Sequence, residues 1–518
     1  MKKFSMLFFA ATLLFSCTNK TNSTPSEEEV LTEESSNQWP EGVCYEIFIQ
    51  SFADSNGDGI GDIPGATSKL DYLQDLGIKS VWLMPIMPSP SYHKYDVTDY
   101  KAIHPDYGTM DEFKIFVAEA HKRDIKVVID MIINHSGSGH PWFIEASKGK
   151  DNPYREYYVW ADKDSIANQI AKKETTQDSD NITQWHAVNG DTTAEHYYGF
   201  FWGGMPDLNF DSEKLRNEIV NIGKWWLTDV GVDGFRLDAA KHIYPDDRIK
   251  DSYEWWEYYC SEMKKAKPDV YIVGEVWAPS EMVVNFVKGF PSLFNFDLAG
   301  SINQTVIGGE SVASTIVGPR WENIEGKSLL DGFVENTKKY QLVNSEFKDA
   351  TFLSNHDQNR VMSNLDGSVE KAKLAASILL TLPGSPYIYY GEEIGMLGKK
   401  PDENIREPFL WTLKNEDFER TKWMKSVYSS DESVVPVSEQ KNDPNSLYNH
   451  YKKLIHQRNN SELLLKGTIE AIQMPNEEVL AFKRVLEGRS MSIYHNLSGR
   501  VVEIDGVELQ PYNTMIIK

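Results

Sequence analysis

Beyond its first 17 residues the chain has no stretch of 18 uninterrupted apolar side chains, the length a membrane-spanning helix requires. The body of the chain therefore reads as water-facing. Cysteine is scarce, with Cys17, Cys44 and Cys260 the only three in 518 residues, too few and too irregularly spaced for a disulfide framework. Cys44 falls in an apolar strand-like run and Cys260 in a helix-like one, so both are expected to be buried free thiols. Positive charge is also short. Lys and Arg number 53 against 77 Asp and Glu, a net charge of −24. Such a surface repels phosphate backbones, which excludes a nucleic-acid binder and disfavours any anionic polymer as substrate. An uncharged substrate meets no such penalty. No internal repeat is visible. What is abundant is aromatic surface, with 14 Trp, 25 Tyr and 23 Phe, and enough apolar material (41%) to build large cores.

The N-terminus reads differently from the rest. Lys2 and Lys3 precede a short apolar run, Phe4 to Phe15, that ends Leu14-Phe15-Ser16-Cys17. This resembles a bacterial lipoprotein signal, residues 1–17, after whose cleavage Cys17 would be the lipidated first residue. Residues 18–38, rich in Ser, Thr, Asn and Glu, read as a flexible tether. The expectation is an exported protein held by a lipid anchor to a bacterial membrane, with the outer-membrane surface as the location the resemblance favours.

From residue 43 onward, eight short apolar runs alternate with helical patterns: Val43–Phe52, Ile78–Pro88, Ile125–His135, Gly231–Ala240, Val270–Trp277, Leu293–Leu298, Ala350–Asn355 and Pro386–Tyr390. Strands apolar almost throughout are those buried on both faces of a parallel sheet. Helix signals lie between them. Thr109 and Glu112 form a capping box ahead of Phe113, Phe116, Val117 and Ala120, and further helical patterns cover Leu215–Val230 and Leu447, Tyr451, Leu454 and Ile455. Eight strand–helix units predict an α/β fold, a TIM (β/α)8 barrel over residues 39–461. The spacing breaks after the third strand, where residues 136–204 predict an inserted domain. Residues 462–518 alternate in short periods and predict a C-terminal all-β domain.

Barrel active sites form at the C-terminal ends of the strands. There this sequence places Asp130 to Asn134 and His135, then Arg236, Asp238, Lys241 and His242, then Glu275 and Trp277, and finally Asn355, His356 and Asp357. One carboxylate ending a strand is commonly a helix cap. Carboxylates on several strands of one face would repel one another unless they had work to do. Arg236 and Asp238, two apart on a strand, share a face, so the guanidinium should keep Asp238 ionised as a nucleophile requires. Glu275 sits on the neighbouring strand, about 4.8 Å away if the registers align. Two carboxyls about 5–5.5 Å apart suit a retaining glycosidase. A separate motif, Asp54, Asn56, Asp58, Ile60 and Asp62, sets oxygen donors at alternate positions around a Gly-permitted turn, with the Ile60 carbonyl filling the gap, as Ca²⁺ binding requires.

These blocks resemble the α-amylase family, glycoside hydrolase family 13, over about residues 43–518. The resemblance implies that Asp238 is the nucleophile, Glu275 the general acid/base and Asp357 the third carboxylate, which grips sugar hydroxyls. It implies substrate contacts from Tyr95 (in His93-Lys94-Tyr95-Asp96-Val97), His135, Arg236, Lys241, His242 and His356. Trp202 and Trp277 are candidates to line the cleft. The Asp54–Asp62 loop is similar to the family's calcium loop, and some members carry a second ion through Asn134 and His242. Met205-Pro206-Asp207-Leu208-Asn209 is intermediate between the family's amylase, neopullulanase and oligo-1,6-glucosidase wordings. The implied function is an endo-acting, retaining hydrolase of α-1,4-glucans working as a monomer. An exo-acting α-glucosidase, an oligo-1,6-glucosidase or a neopullulanase-like enzyme is the alternative. A non-catalytic glycan-binding protein would require loss of the carboxylates, and all are present. For endo action, exo-acting relatives carry an Asp three residues before the stacking Tyr, whereas here that residue is Tyr92, an aromatic face able to stack on a further sugar.

Overall fold

The computed structural model describes residues 42–171, 183–191, 195–413 and 416–518. The expected signal (1–17), the tether (18–38) and Cys17 lie outside the described residues. Eight parallel strands close into a barrel: β1 (Cys44–Ile47), β2 (Ser80–Leu83), β3 (Lys126–Met131), β4 (Gly234–Leu237), β5 (Tyr271–Gly274), β6 (Ser292–Phe294), β7 (Lys348–Thr351) and β8 (Ser385–Tyr389), with β1 hydrogen-bonded to both β2 and β8. All eight fall at the apolar runs of the sequence. Several are shorter than the runs that mark them. Beyond β6, Asn295 accepts the Leu298 N–H and starts the helix Phe296–Gly308, so the apolar residues of that run pack as helix rather than strand.

Alternation along each strand sorts the side chains into two cores. Cys44, Trp82, Val128, Tyr271, Val273, Phe294, Ala350 and Tyr387 fill the barrel interior. Tyr45, Ile47, Val81, Leu83, Val127, Ile129, Phe235, Leu237, Ile272 and Ile388 point outward into the layer shared with the helices. Gly234 is required by crowding, since a Cβ there would lie 2.0 Å from the Tyr271 carbonyl oxygen. Cys44 and Cys260 are both free thiols, as expected, and burial pushes the Cys44 thiol up to about 12.

The surrounding helices start where the sequence signals them. Thr109 caps Met110–Lys122 in a full capping box with Glu112, and Ser212 caps Glu213–Trp225. Between β3 and β4 the insertion carries a small antiparallel sheet of Trp160–Ala161, Trp185–Ala187 and His196–Tyr198. A hairpin, Ser314–Val317 with Arg320–Asn323, interrupts the crossover between β6 and β7. After a helical turn at Glu462–Lys466, the C-terminal strands begin at Thr468 and form a four-stranded and a two-stranded antiparallel sheet.

Two buried arginines brace the end of helix Val369–Thr381, Arg458 from the helix Leu447–Asn459 and Arg484 from the last sheet. Arg458 donates to the carbonyls of Leu380, Leu382 and Gly384, and Arg484 to those of Thr381 and Gly467. Apart from Gly467, these acceptors are the carbonyls at the end of helix Val369–Thr381 and just beyond it, where the helix dipole favours a cation. Replacing Arg458 with Met should strand three buried carbonyls, each at a cost of about 1–3 kcal/mol. Thermal unfolding is expected to move several degrees lower. An unchanged melting curve would show that these bonds do not hold that end of the helix in place.

Candidate active site

The barrel register continues past the strand ends into the site. Asp130 pairs with Arg236 between β3 and β4, and Leu237 pairs with Gly274 between β4 and β5. One step further on, Asp238 stands beside Glu275, the alignment the retaining arrangement needs. Arg236 lies underneath, 1% exposed, and holds all three carboxylates. Its Nη1 donates to both Asp130 oxygens (2.9 and 3.0 Å) and to Asp238 Oδ1 (2.6 Å), while Nη2 lies 2.9 Å from Glu275 Oε2. Burial alone would lower the guanidinium, but Asp130 and then Glu275 outweigh it and hold Arg236 charged.

Contacts on Glu275 are one-sided. The Ala239 N–H also donates to Oε2, at 3.2 Å, which leaves Oε1 for a leaving oxygen. Ala239 takes a left-handed backbone (φ 46°) to aim that N–H, a strained choice for a residue with a Cβ. Burial first, and the neighbouring Asp238 and Asp357 next, raise the Glu275 carboxyl to about 7 against the pull of Arg236. A carboxylic acid that keeps its proton at neutral pH can donate it.

Opposite lies a second charged line. His356 Nδ1 bonds Glu46 at 2.6 Å, and its Nε2 bonds the Tyr95 hydroxyl (2.6 Å) and Asp357 Oδ2 (3.0 Å). Burial would depress this imidazole, yet Asp357 and Glu46 raise it to about 10, so it is a cation throughout the neutral range. Burial would likewise raise Asp357, but His356, and then Arg406 at 2.9 Å, hold it well below the usual carboxylate range. Asp357 is 30% exposed on its side chain and faces the cleft.

A cleft of about 1250 Å³ opens over these groups. Asp238, Glu275, Asp357, Tyr95, His135, Lys241 and His242 all line it, together with Trp202 and Trp277. Arg236 and His356 do not. They were expected as substrate contacts, but both are buried beneath the wall and act by positioning the carboxylates above them. His135 is wedged between Asn134 Oδ1 and the Tyr95 carbonyl, and Asn134 Nδ2 donates to the His242 carbonyl. The Asp54–Asp62 loop lies apart from the cleft lining. Glu46, Arg406 and Asp402 were missed from the sequence, and Asp130 was placed at a strand end without a role. A lone Glu inside the apolar strand Cys44–Ile47 was a usable signal, whereas Arg406 lies in a loop with no local mark of its role.

Residues 46–467 match the family model "Alpha amylase, catalytic domain". The chain belongs to the α-amylase family of glycoside hydrolases. It is 42% identical to alpha-amylase 3 of Dictyoglomus thermophilum over 497 residues, covering 92% of this chain and 93% of that one. It is 34% identical to the 4-alpha-glucanotransferase of Thermotoga maritima, covering 92% of this chain and all of the relative. The crystal structure of the alpha-amylase from H. orenii superposes with a TM-score of 0.81 at 40% identity, covering 92% of this chain and 98% of that chain. As in other members of the family, the chemistry is that of an O-glycosyl hydrolase.

The raised Glu275 carboxyl fixes the sign of the pH dependence. As pH climbs through about 7 the acid loses its proton, so kcat/KM should fall on the alkaline side with a midpoint near 7. Glu275→Gln should abolish that limb and reduce turnover by roughly 10²–10⁴-fold, with Asp238→Asn at least as severe. Near-normal turnover in either variant would remove the residue from its role.

Proposed function

We propose that this enzyme is an endo-acting, retaining hydrolase of α-1,4-linked glucans such as starch, glycogen and maltooligosaccharides. The observation that carries the reading is the single guanidinium gripping both Asp238 and Glu275. Bonded to one planar fork at 2.6 and 2.9 Å, the two carboxyls stand side by side, which favours the roughly 5–5.5 Å spacing of a retaining pair over the roughly 6.5–9.5 Å of an inverting one. Asp238 Oδ2, free of the fork, attacks the anomeric carbon while Glu275 Oε1 protonates the departing oxygen. Glu275 then takes a proton from the incoming water, and the product keeps the α configuration. Ionised Asp357, beside cationic His356, offers negative charge to the oxocarbenium-like transition state.

Endo action is supported by the size of the cleft, about 1250 Å³, whose lining takes in Lys400, Asp402 and Arg406 as well as Trp202, Trp277 and Trp321. The Tyr92 argument is corrected. Its ring stacks on Trp423 (5.3 Å, 17°) and its hydroxyl meets Arg406 at 3.3 Å, so it is absent from the cleft lining. The exo alternative finds its support in Asp402, a carboxylate on the cleft wall beside Arg406. Iodine staining of starch followed against reducing ends separates the two. Endo cleavage destroys the colour early and releases mixed maltooligosaccharides as α-anomers. Glucose release with persisting colour would favour the exo reading, and β-anomers would exclude retention.

Calcium in the Asp54–Asp62 loop belongs to the same proposal. The loop turns on Gly57 and Gly59, both at positive φ, with Asp54 and Asp62 buried and Asn56 and Asp58 exposed. Asp54 accepts the N–H groups of Gly57 and Gly59, and Asp62 those of Ser55 and Gly65. Both are buried, and among the described residues neither has an ion-pair partner. No group of three or more His, Cys, Asp or Glu converges as a metal cluster among the described residues, so the fit rests on the donor chemistry. Asp54, Asn56, Asp58, the Ile60 carbonyl and Asp62 offer five hard oxygens, and an ion there would pin the loop after β1. At Asn134 and His242 the amide and carbonyl already bond each other, and no second ion is proposed. Chelation should lower the melting temperature and added calcium should restore it by mass action. An unchanged melting curve with no metal in elemental analysis would rule the ion out.

The proposal also has the mature enzyme begin at lipidated Cys17 and sit on a bacterial membrane, its 18–38 tether reaching toward a polymer. Among the described residues no helix is long and apolar enough to cross a membrane. The same proposal has the enzyme work as a monomer. Fractionation tests the anchor. Cys17→Ala should shift the enzyme from the membrane to the soluble fraction, and equal membrane retention would overturn the lipoprotein reading.

A further inference from the structure

Arg406 reaches Asp357 from a loop, and no regular element aims it. The single helical turn Asp402–Ile405 ends just before it. Its Nη2 is shared, 2.9 Å from Asp357 Oδ1 and 3.1 Å from Asp402 Oδ2. The two carboxylates are about equally open to water, 30% and 36% exposed on their side chains, so exposure gives neither the stronger claim on the charge. The deciding contacts come from behind the cleft wall. Trp423, absent from the cleft lining, meets Arg406 by two routes. Its ring stacks on Tyr92, whose hydroxyl accepts from Arg406 Nη1 at 3.3 Å. Its indole N–H donates to the Ser51 hydroxyl at 2.8 Å, and Ser51 donates in turn to the Arg406 carbonyl. One route sets the side chain and the other the backbone. Trp423 is itself held. Phe48, fully buried just past β1, meets Trp423 and Tyr92 edge-on, at 6.0 and 6.4 Å. The segment before Trp423 is laced to the loop after β1, with the Asp54 N–H on the Glu419 carbonyl (2.8 Å) and the Lys422 N–H on the Gly59 carbonyl (2.6 Å). An indole fixed at its face, its edge and its N–H has one orientation to pass on.

We propose that Trp423 is a positioning residue that aims Arg406 at Asp357 rather than at Asp402. This rests on the role of Asp357 given above. With the indole in place, Arg406 and His356 each bond a separate oxygen of Asp357, and the carboxylate keeps its charge as the oxocarbenium-like transition state forms. Without it the guanidinium can swing to Asp402, four residues back on its own turn. Asp357 would then face His356, Lys400 and Glu275 with one cation fewer, and its carboxyl would rise. A carboxyl that ionises at higher pH moves the acid limb of activity upward. The loss falls where the charge is used, in the transition state, and not on ground-state binding.

The test follows reducing-end release from soluble starch across pH. Trp423→Ala should lower kcat about tenfold with KM within about twofold, and should move the acid limb of kcat/KM up by about one pH unit. Trp423→Phe, which keeps a ring on Tyr92, should retain most of the turnover. Adding Asp402→Asn to Trp423→Ala removes the competing charge and should bring the limb back. Tyr92→Phe, which drops only the hydroxyl, should move the limb the same way by a smaller amount, and it carries the test if Trp423→Ala does not fold. An unmoved limb in Trp423→Ala, or in Tyr92→Phe where the first does not fold, would overturn the proposal. So would a limb that moves but does not return with Asp402→Asn. Asp357→Asn separates the two readings. Near-normal turnover there would remove the role of Asp357 itself, whereas lost turnover there beside an unchanged Trp423→Ala would overturn the positioning alone.

Discussion

Everything in the site depends on one buried cation. Arg236 reaches Asp130, Asp238 and Glu275 from a position closed to water. Taking a guanidinium out of water costs several kcal/mol before any partner is counted, and only well-placed anions repay it. The three carboxylates in turn could not stand so close without it. The arrangement is therefore mutual. The same fork sets the spacing that decides the stereochemistry, and it leaves one oxygen of each reacting carboxyl unengaged. Arg236 never touches substrate in this picture, yet it determines what both groups above it can do.

The barrel explains why that fork is rigid. Arg236 projects inward from β4, and its ring contacts are with Trp82 of β2 and Tyr95 (5.1 and 5.8 Å), while Asp130 comes from β3 in direct register. Below it the interior is packed with aromatic and branched side chains. A closed parallel barrel permits little slippage, because one residue of shift would exchange the inward and outward sets of every strand. The charged layer is thus fixed by the same alternation that builds the two cores. The reactive carboxyls, one residue beyond the strands, inherit that precision and are free only at their tips.

Legibility in the sequence follows the same division. The strands could be read because burial on both faces leaves unbroken apolar runs, and Asp238, Glu275 and Asp357 because polar residues ending such runs stand out. Glu46 and Asp130 were harder. Each is a lone acid among apolar strand residues, which signals a buried partner without saying which group it pairs with. Arg406 could not be read at all, since it meets Asp357 across 49 positions from a loop without periodicity. Arg236 and His356 were found, but their depth was not. Whether a polar side chain lines a cleft or supports its lining depends on packing from other strands, which no single segment contains.

The two lines of charge across the cleft carry opposite instructions. On one, burial beside Asp238 and Asp357 keeps Glu275 protonated. On the other, His356 and Arg406 keep Asp357 ionised although burial works against it. The difference lies in the neighbours. Arg236 divides its charge among three carboxylates, so Glu275 receives a share too small to offset desolvation. Asp357 has two cations of its own, each bonded to a separate oxygen. Two carboxyls of similar intrinsic acidity are thereby driven apart, one to give a proton and one to hold its charge as the positive transition state forms. The fold achieves this by rationing positive charge among carboxylates drawn from different strands.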